Sequence, residues 1–258
     1  MRTETPDAVR HLLQSRDGHL PIPPLTATAS DLGLDEAYRM QRALEQVLCD
    51  RGERVIGWKA GFTTASLQEA YGVTEPVAGF MLGSGVYASG DAIPLSRFAA
   101  VGVEVETAFL MRSELAGPGV TPASAVLAVE GALPAFELID FRFSGPARGV
   151  DVVADGVYAN AIVLGRPVTP LAGLDLALEG VVYEHNGQTV ATATAAEVMG
   201  SPLASLAWLA NHLGGQGRGL AAGHIVLSGS ISKILRPRAG DSVRASFTRL
   251  GSVSCRFV

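Results

Sequence analysis

Residues 101–110 read Val101-Gly-Val-Glu-Val-Glu-Thr-Ala-Phe-Leu110. Successive side chains of an extended chain point to opposite faces, so Val103 and Val105 share one face and Glu104 and Glu106 the other. The glutamate face continues as Ala108 and Leu110, so it is not polar throughout. Two readings follow: an amphipathic strand with a wet face, or two carboxylates entering a largely apolar interior. A second run, Pro134-Ala-Phe-Glu-Leu-Ile-Asp140, again sets a carboxylate, Glu137, inside an apolar stretch. A buried carboxylate is costly unless it is paired or bound to a metal. Three that converged would call for a divalent cation, and oxygen ligands suit Mg²⁺ or Mn²⁺. Spacing alone does not bring Glu137 to the other two.

Outward from this strand the texture repeats. Strand-like runs fall at 135–141, 161–164, 177–185, 189–195, 225–227, 242–249 and 252–258, and Asn186-Gly187 between two of them is a type I′ hairpin signal. Thr121-Pro122 and Ser201-Pro202 each supply the capping hydroxyl and first-turn proline of a helix start. The first 75 residues read as helical, at 6–16, 35–51 and 64–71, around a proline-rich connector at 20–29. The Gly-rich stretch 79–90 lacks the Lys-Ser/Thr ending of a phosphate loop and reads as a mobile segment or turn. The expectation is a strand-dominated α+β chain, with an N-terminal helical portion at 1–78 and a β-rich catalytic domain at 79–258.

Composition narrows the function classes. The 258 residues are 48% hydrophobic and 17% charged, which excludes a disordered chain, and 30 Gly with 14 Pro promise many turns. A net charge of −5 without a basic patch argues against a nucleic-acid partner. Cys49 and Cys255 make neither a disulfide framework nor a zinc site, and His185, His212 and His224 do not pair at ligand spacing. The polar start, with Arg2, Glu4 and Asp7, does not resemble a secretory leader. The longest uncharged helical-looking stretch, 198–211, is shorter than the roughly 18 residues of a membrane span. A cytoplasmic protein without a membrane partner is expected.

Of the 20 basic side chains only Lys59 and Lys233 are lysine. A gene rich in G and C replaces Lys by Arg wherever charge alone matters, so a retained lysine is a candidate for proton transfer, which a guanidinium cannot perform. Lys59, in Gly57-Trp-Lys-Ala-Gly-Phe-Thr-Thr64, sits among small and apolar residues that would desolvate its amine and lower its pKa. Lys233, beside Arg236 and Arg238, reads as a rim charge.

In order, Gly57-x-Lys59-x-Gly61-x-Thr63, Gly72-Val-x-x-Pro-x-x-Gly79, Val103-Glu-Val-Glu106, Glu137-x-x-Asp140-x-Arg142 and Leu227-Ser-Gly-Ser230 resemble the 2-keto-4-pentenoate hydratase / 4-oxalocrotonate decarboxylase family of the fumarylacetoacetate hydrolase superfamily. The resemblance covers roughly residues 35–258. It implies a mixed β-roll, an oligomer, and Mg²⁺ or Mn²⁺ held by Glu104, Glu106 and Glu137. It also implies Lys59 as the catalytic lysine, with Ser230 and Asp155 as substrate-binding residues. The implied activity is a lyase acting on a small 2-oxo or 2-hydroxydienoic acid, of the hydratase type (2-hydroxypenta-2,4-dienoate to 4-hydroxy-2-oxopentanoate or a related substrate). The alternatives are a 4-oxalocrotonate (2-oxo-3-hexenedioate) decarboxylase and a non-catalytic partner subunit, so the oligomer is a homo-oligomer or a paired hydratase/decarboxylase. Two segments depart from the family pattern: Glu75-Pro-Val-Ala-Gly79 lacks an acidic residue at Val77, and in Asp155-Gly-Val-Tyr-Ala-Asn160 only Asp155 is kept. The metal end is thus expected intact and the distal pocket rewritten.

Overall fold

The computed structural model describes residues 6–258, so most of the polar start on which the leader reading rests lies outside the described residues. Twelve strands form two mixed sheets among these residues. The larger has the order β2-β1-β10-β5-β6-β7-β3, from β1 (Val55–Gly61), β2 (Val77–Leu82), β3 (Val86–Ala88), β5 (Val101–Met111), β6 (Val129–Asp140), β7 (Ala159–Leu164) and β10 (Ile225–Ser230). The smaller has the order β4-β12-β11-β8-β9, from β4 (Ala92–Ile93), β8 (Gly180–His185), β9 (Gln188–Thr194), β11 (Ser242–Phe247) and β12 (Gly251–Phe257). Most neighbours are antiparallel; β1 with β10, β3 with β7 and β4 with β12 are parallel. The fold is a mixed α+β roll rather than a closed barrel.

The alternation in β5 sets what each face of the large sheet meets. Val103, Val105 and Phe109, with Phe136 of β6, are buried in the main core, where Phe136 meets Tyr183 of the small sheet at 5.9 Å between ring centroids. Ala108 lies opposite Leu133 and Leu227, Glu106 opposite Ala135, and Glu137 opposite Ile162. The apolar members of this second face form their own buried cluster with Met81. Strand β2 packs against β7 although the sheet order separates them widely, so the sheet curls and this second face becomes the inside of the roll.

Two parts differ from the sequence reading. The N-terminal portion read as helical carries β1 between its second and third expected helices, a strand buried on both sides at its C-terminal end. The Gly-rich stretch 79–90, read as a mobile segment or turn, holds most of β2, the neighbour of β1, and all of β3. In both, glycine is present for close packing. A Cβ at Gly57 would stand 1.7 Å from the Ile225 carbonyl oxygen, and one at Gly79 would stand 2.5 Å from that of Gly156. The Asn186-Gly187 hairpin is as expected, with both residues at positive φ.

Helices cover the roll. Helix α1 (Asp7–Gly18) lies on α2 (Leu34–Asp50), and α2 lies on α5 (Gly149–Ala154). The short α3 (Ala65–Tyr71) and α4 (Pro122–Ala125) are capped by Thr64 and Thr121, and α6 (Pro202–Gly215) starts on the expected Ser201 cap. Helix α2 also completes an edge. Tyr38 accepts a hydrogen bond from the Ala78 N–H through its hydroxyl at 3.0 Å, and Gln41 Nε2 donates to the carbonyls of Ala78 (2.9 Å) and Val153 (2.7 Å). The backbone of β2 is thereby satisfied where no further strand pairs with it. Replacing Gln41 by Leu removes both donated bonds from buried carbonyls and is expected to cost about 2–3 kcal/mol. Urea unfolding checks this: the midpoint should fall with an unchanged slope.

Candidate active site

The antiparallel register of β5 and β6 sets Glu104 directly opposite Glu137, with Glu106 one step along the same face. One carboxylate oxygen from each of the three lies within 4.8 Å of the other two. Lys59 enters from β1, with Nζ 2.8 Å from Glu137 Oε2 and donating to the Val157 carbonyl at 3.3 Å. Strand β10 contributes backbone: the Gly229 N–H donates to Glu106 Oε2 at 2.6 Å. Three carboxylates and one ammonium leave two negative charges uncompensated in the group, which is the charge of one divalent cation.

The oxygen atoms fit such an ion. Glu106 Oε1 and Glu137 Oε1 are fully buried and accept no hydrogen bond, a costly arrangement unless a cation meets them. An all-carboxylate donor set suits Mg²⁺ or Mn²⁺. Glu104, Glu106 and Glu137 would hold it.

Electrostatics point the same way. Burial, reinforced by Glu137 and opposed by Lys59, pushes the Glu104 carboxyl up to about 7. Burial, then the charges of Glu137 and Glu104, pushes Glu106 well above the carboxylate range. Lys59 departs from the sequence reading. Burial pulls its pKa down as expected, but Glu137, Glu104 and Glu106 together outweigh it, and the ammonium is held above its ordinary value.

A cavity of about 80 Å³ opens over this group, and Lys59, Thr63, Glu104 and Ser230 line its polar end. Ser230 Oγ donates to the Ser232 carbonyl at 2.8 Å, which fixes the hydroxyl at the rim. Asp155 is not brought to the cavity. It is fully buried behind the wall, where Arg142 donates to it at 2.5 Å and Arg16 of α1 stands 3.5 Å away. Arg142 also pairs with Asp140 at 3.3 Å, so two aspartates and two arginines make a balanced buried group. Lys233 is exposed, as its rim reading expects.

Asp155 anchors a turn that sequence reasoning did not find. Gly156, Val157 and Tyr158 all have positive φ, at 79°, 58° and 58°. A β-branched residue is disfavoured there, at a cost of order 1 kcal/mol. The turn aims the Val157 carbonyl at Lys59 and sets Tyr158 in the cavity wall. Asn160 faces away from this wall's chemistry, donating to Asp140 at 3.2 Å. The Val157 carbonyl and the Gly229 N–H are backbone groups that residue type does not announce; the Asp155-Gly156 turn signal was the one available clue.

These shifts set a pH dependence. Glu104 titrates at about 7 in the folded, metal-free protein against 4.5 when unperturbed. A raised carboxyl pKa stabilises the fold below the unfolded value, and that stability is lost as pH rises through the folded one. Metal binding needs the ionised form, so its benefit grows over the same window. The gain in melting temperature from Mg²⁺ over chelator should therefore increase between about pH 5 and about pH 8. A gain that shrinks with rising pH would contradict this account of the glutamates.

Comparison with known proteins places the chain. The fumarylacetoacetate (FAA) hydrolase C-terminal family matches residues 60–258. The 2-keto-4-pentenoate hydratase of Paraburkholderia xenovorans (strain LB400) is 32% identical over 253 residues, covering 97% of this chain and 94% of that protein. A 4-oxalocrotonate decarboxylase of Pseudomonas putida is 31% identical over 247 residues, covering 95% and 92%. The structure of 4-oxalocrotonate decarboxylase from Pseudomonas putida G7, complexed with magnesium and adipate, superposes with a TM-score of 0.94 at 28% identity over 97% of this chain and 96% of that one. With the curled mixed sheet and its buried glutamates on the same framework, the chain belongs to the fumarylacetoacetate hydrolase family.

Proposed function

We propose that the protein is a Mg²⁺- or Mn²⁺-dependent lyase of the hydratase type, acting on 2-hydroxypenta-2,4-dienoate or a related small 2-hydroxydienoic acid. The convergence of Glu104, Glu106 and Glu137 with Lys59 at one end of a cavity carries this reading. The hydratase relatives, at 32–38% identity for four of them, support the reaction class. A 4-oxalocrotonate-type decarboxylase is the second reading, favoured by the TM-score of 0.94 to an enzyme of that name.

Bound at the three glutamates, a divalent cation supplies Lewis-acid polarisation of a 2-oxo or 2-enol acid and takes up their charge. Lys59 would then be held less firmly as an ammonium, because the same three carboxylates are what raise its pKa. Its Nζ exchanges a proton with the substrate's carbon chain while the Val157 carbonyl keeps it aimed. Ser230, whose hydroxyl must turn from the Ser232 carbonyl to donate, orients the substrate carboxylate. Asp155, read from sequence as a substrate contact, holds the Gly156–Tyr158 turn and acts on substrate only through that wall.

The subunit is proposed to work as a homo-oligomer. The outer edge of the small sheet supports this: β9 carries no charged residue, and Val190 on it is 50% exposed. No helix among the described residues is long and apolar enough to cross a membrane. The cytoplasm is the proposed location, supported by two unpaired cysteines, Cys49 and Cys255.

The test is an ultraviolet assay following loss of 2-hydroxypenta-2,4-dienoate and of 2-oxo-3-hexenedioate, with Mg²⁺ and with chelator. Metal-dependent turnover of the first and not the second is expected; the reverse selects the decarboxylase, and turnover unaffected by chelator removes the metal-dependent reading. Lys59→Met should lower kcat by about 100-fold or more with Mg²⁺ binding retained. The Glu104→Gln/Glu106→Gln double variant should lose Mg²⁺ binding and turnover together.

A further inference from the structure

Arg16 of α1 stands outside the cavity lining and outside the stretch 60–258 that matches the family, yet its guanidinium reaches the turn beside Lys59. Its Nη2 donates to the Asp155 main-chain carbonyl at 2.5 Å, and its Nε stands 3.5 Å from the Asp155 carboxylate. Asp155 is the C-cap of α5, so this donor meets a carbonyl at a helix end, where the helix has no donor of its own to offer. That carbonyl belongs to the peptide leading into Gly156, the first of the three residues at positive φ. Arg142 bonds the Asp155 side chain and the Ala159 carbonyl beyond the turn, at 2.5 and 2.9 Å, whereas Arg16 holds the main chain at its entrance. The Arg16 guanidinium is confined from two sides. The Phe80 ring of β2 lies 5.9 Å from it, and a Cβ at Gly156 would stand 3.4 Å from Nη2. Val9, Leu12 and Leu13 anchor α1 itself in the main core.

What the turn presents to the site is the Val157 carbonyl, which accepts from Lys59 Nζ at 3.3 Å, and the side chains of Val157 and Tyr158 in the cavity wall. A left-handed stretch of non-glycine residues persists only while its surroundings hold it. We propose that Arg16 is a positioning residue for this site: it locks the turn that aims the Val157 carbonyl at Lys59 and closes the wall over that amine, so the N-terminal helix governs the proton step without touching substrate. This deepens the reading of Lys59 as the proton-transferring group and rests on it. Transfer is sensitive to displacements of the order of 1 Å. The glutamates and Ser230 are carried by β5, β6 and β10, which do not include the turn, so binding at that end is left largely as it is.

The test compares Arg16→Ala, Arg16→Lys and Ser15→Ala with the unaltered, Mg²⁺-loaded protein by two readouts. One is the split between kcat and KM. The other is labelling with an amine-reactive ester at a fixed pH, read by peptide mass. Lysine occurs only at 59 and 233, so the exposed Lys233 is an internal reference for Lys59, which is 3% exposed. Ser15→Ala removes a neighbouring buried bond of α1, to the Leu20 carbonyl at 2.6 Å, and reports what loosening the helix does by itself. Arg16→Ala should lower kcat about 10- to 100-fold with KM within about threefold. Its Lys59 should be labelled about fivefold or more faster relative to Lys233. Arg16→Lys restores the charge without the fork and should fall between, and Ser15→Ala should match the unaltered protein in both readouts. Unchanged kcat and labelling in Arg16→Ala would overturn the proposal, as would equal effects in Ser15→Ala. Arg16→Gln carries the same readouts if Arg16→Ala does not fold. An unaltered protein without metal-dependent turnover, or a Lys59→Met variant that turns over normally, would instead overturn the reading of Lys59; labelling then decides by itself whether Arg16 holds the amine in place.

Discussion

Three carboxylates that share one buried site repel one another in surroundings that screen charge poorly. Glu104 and Glu137 face each other across one rung of the β5–β6 ladder, and Glu106 lies one step along the same face. Lys59, at 2.8 Å from Glu137, and the Gly229 N–H on Glu106 oppose that repulsion, and they leave the charge incomplete. The sheet therefore holds an arrangement that is unfavourable by itself, and the rest of the fold keeps it from relaxing. The apolar cluster of Met81, Ala108, Leu133, Ala135, Ile162 and Leu227 fills the roll beside the glutamates.

The wall facing Lys59 is held with equal firmness and by different means. Its left-handed turn is unfavourable for Val157 and Tyr158, and it persists because Asp155 is gripped by Arg142 and Arg16. Strain of this kind survives only where the surroundings over-determine it, and it tends to gather at functional sites. Helix α1 has no residue in the cavity lining, yet through Arg16 it belongs to the device that aims the Val157 carbonyl. The buried charges around Asp155 are balanced, whereas those around Glu137 are not. That contrast separates the structural ionic group from the one that awaits a ligand.

Much of this was legible in the sequence where local chemistry and final structure agree. Residues 101–111 form the strand their alternation announces, and Asn186-Gly187 turns as its residue types demand. The glutamates and Lys59 converge as the motif order implied. Strand β1 was not legible because its C-terminal part is buried on both sides and shows no alternation, and because Gly57 and Gly61, rare inside strands, are spacers for close packing. Glycines 79 and 85 misled in the same way: a residue type that permits motion also permits contact, and only the neighbour decides which. The role of Asp155 was hidden because its partner Arg16 lies 139 positions away in the chain. The pKa direction of Lys59 was misjudged because burial was weighed without the three charges that spacing could not place.

The order of strands in the large sheet bears on how the protein is made. Strand β10, the last of the seven to leave the ribosome, inserts between β1 and β5. Until it arrives, the growing polypeptide carries two half-sheets with open edges at their middle, and Glu106 lacks the Gly229 N–H. N-terminal segments usually settle first during synthesis, but here the earlier six strands cannot complete the roll on their own. A nascent chain interrupted before residue 230 therefore presents exposed strand edges and no assembled centre, a state that chaperones rather than substrates would meet first.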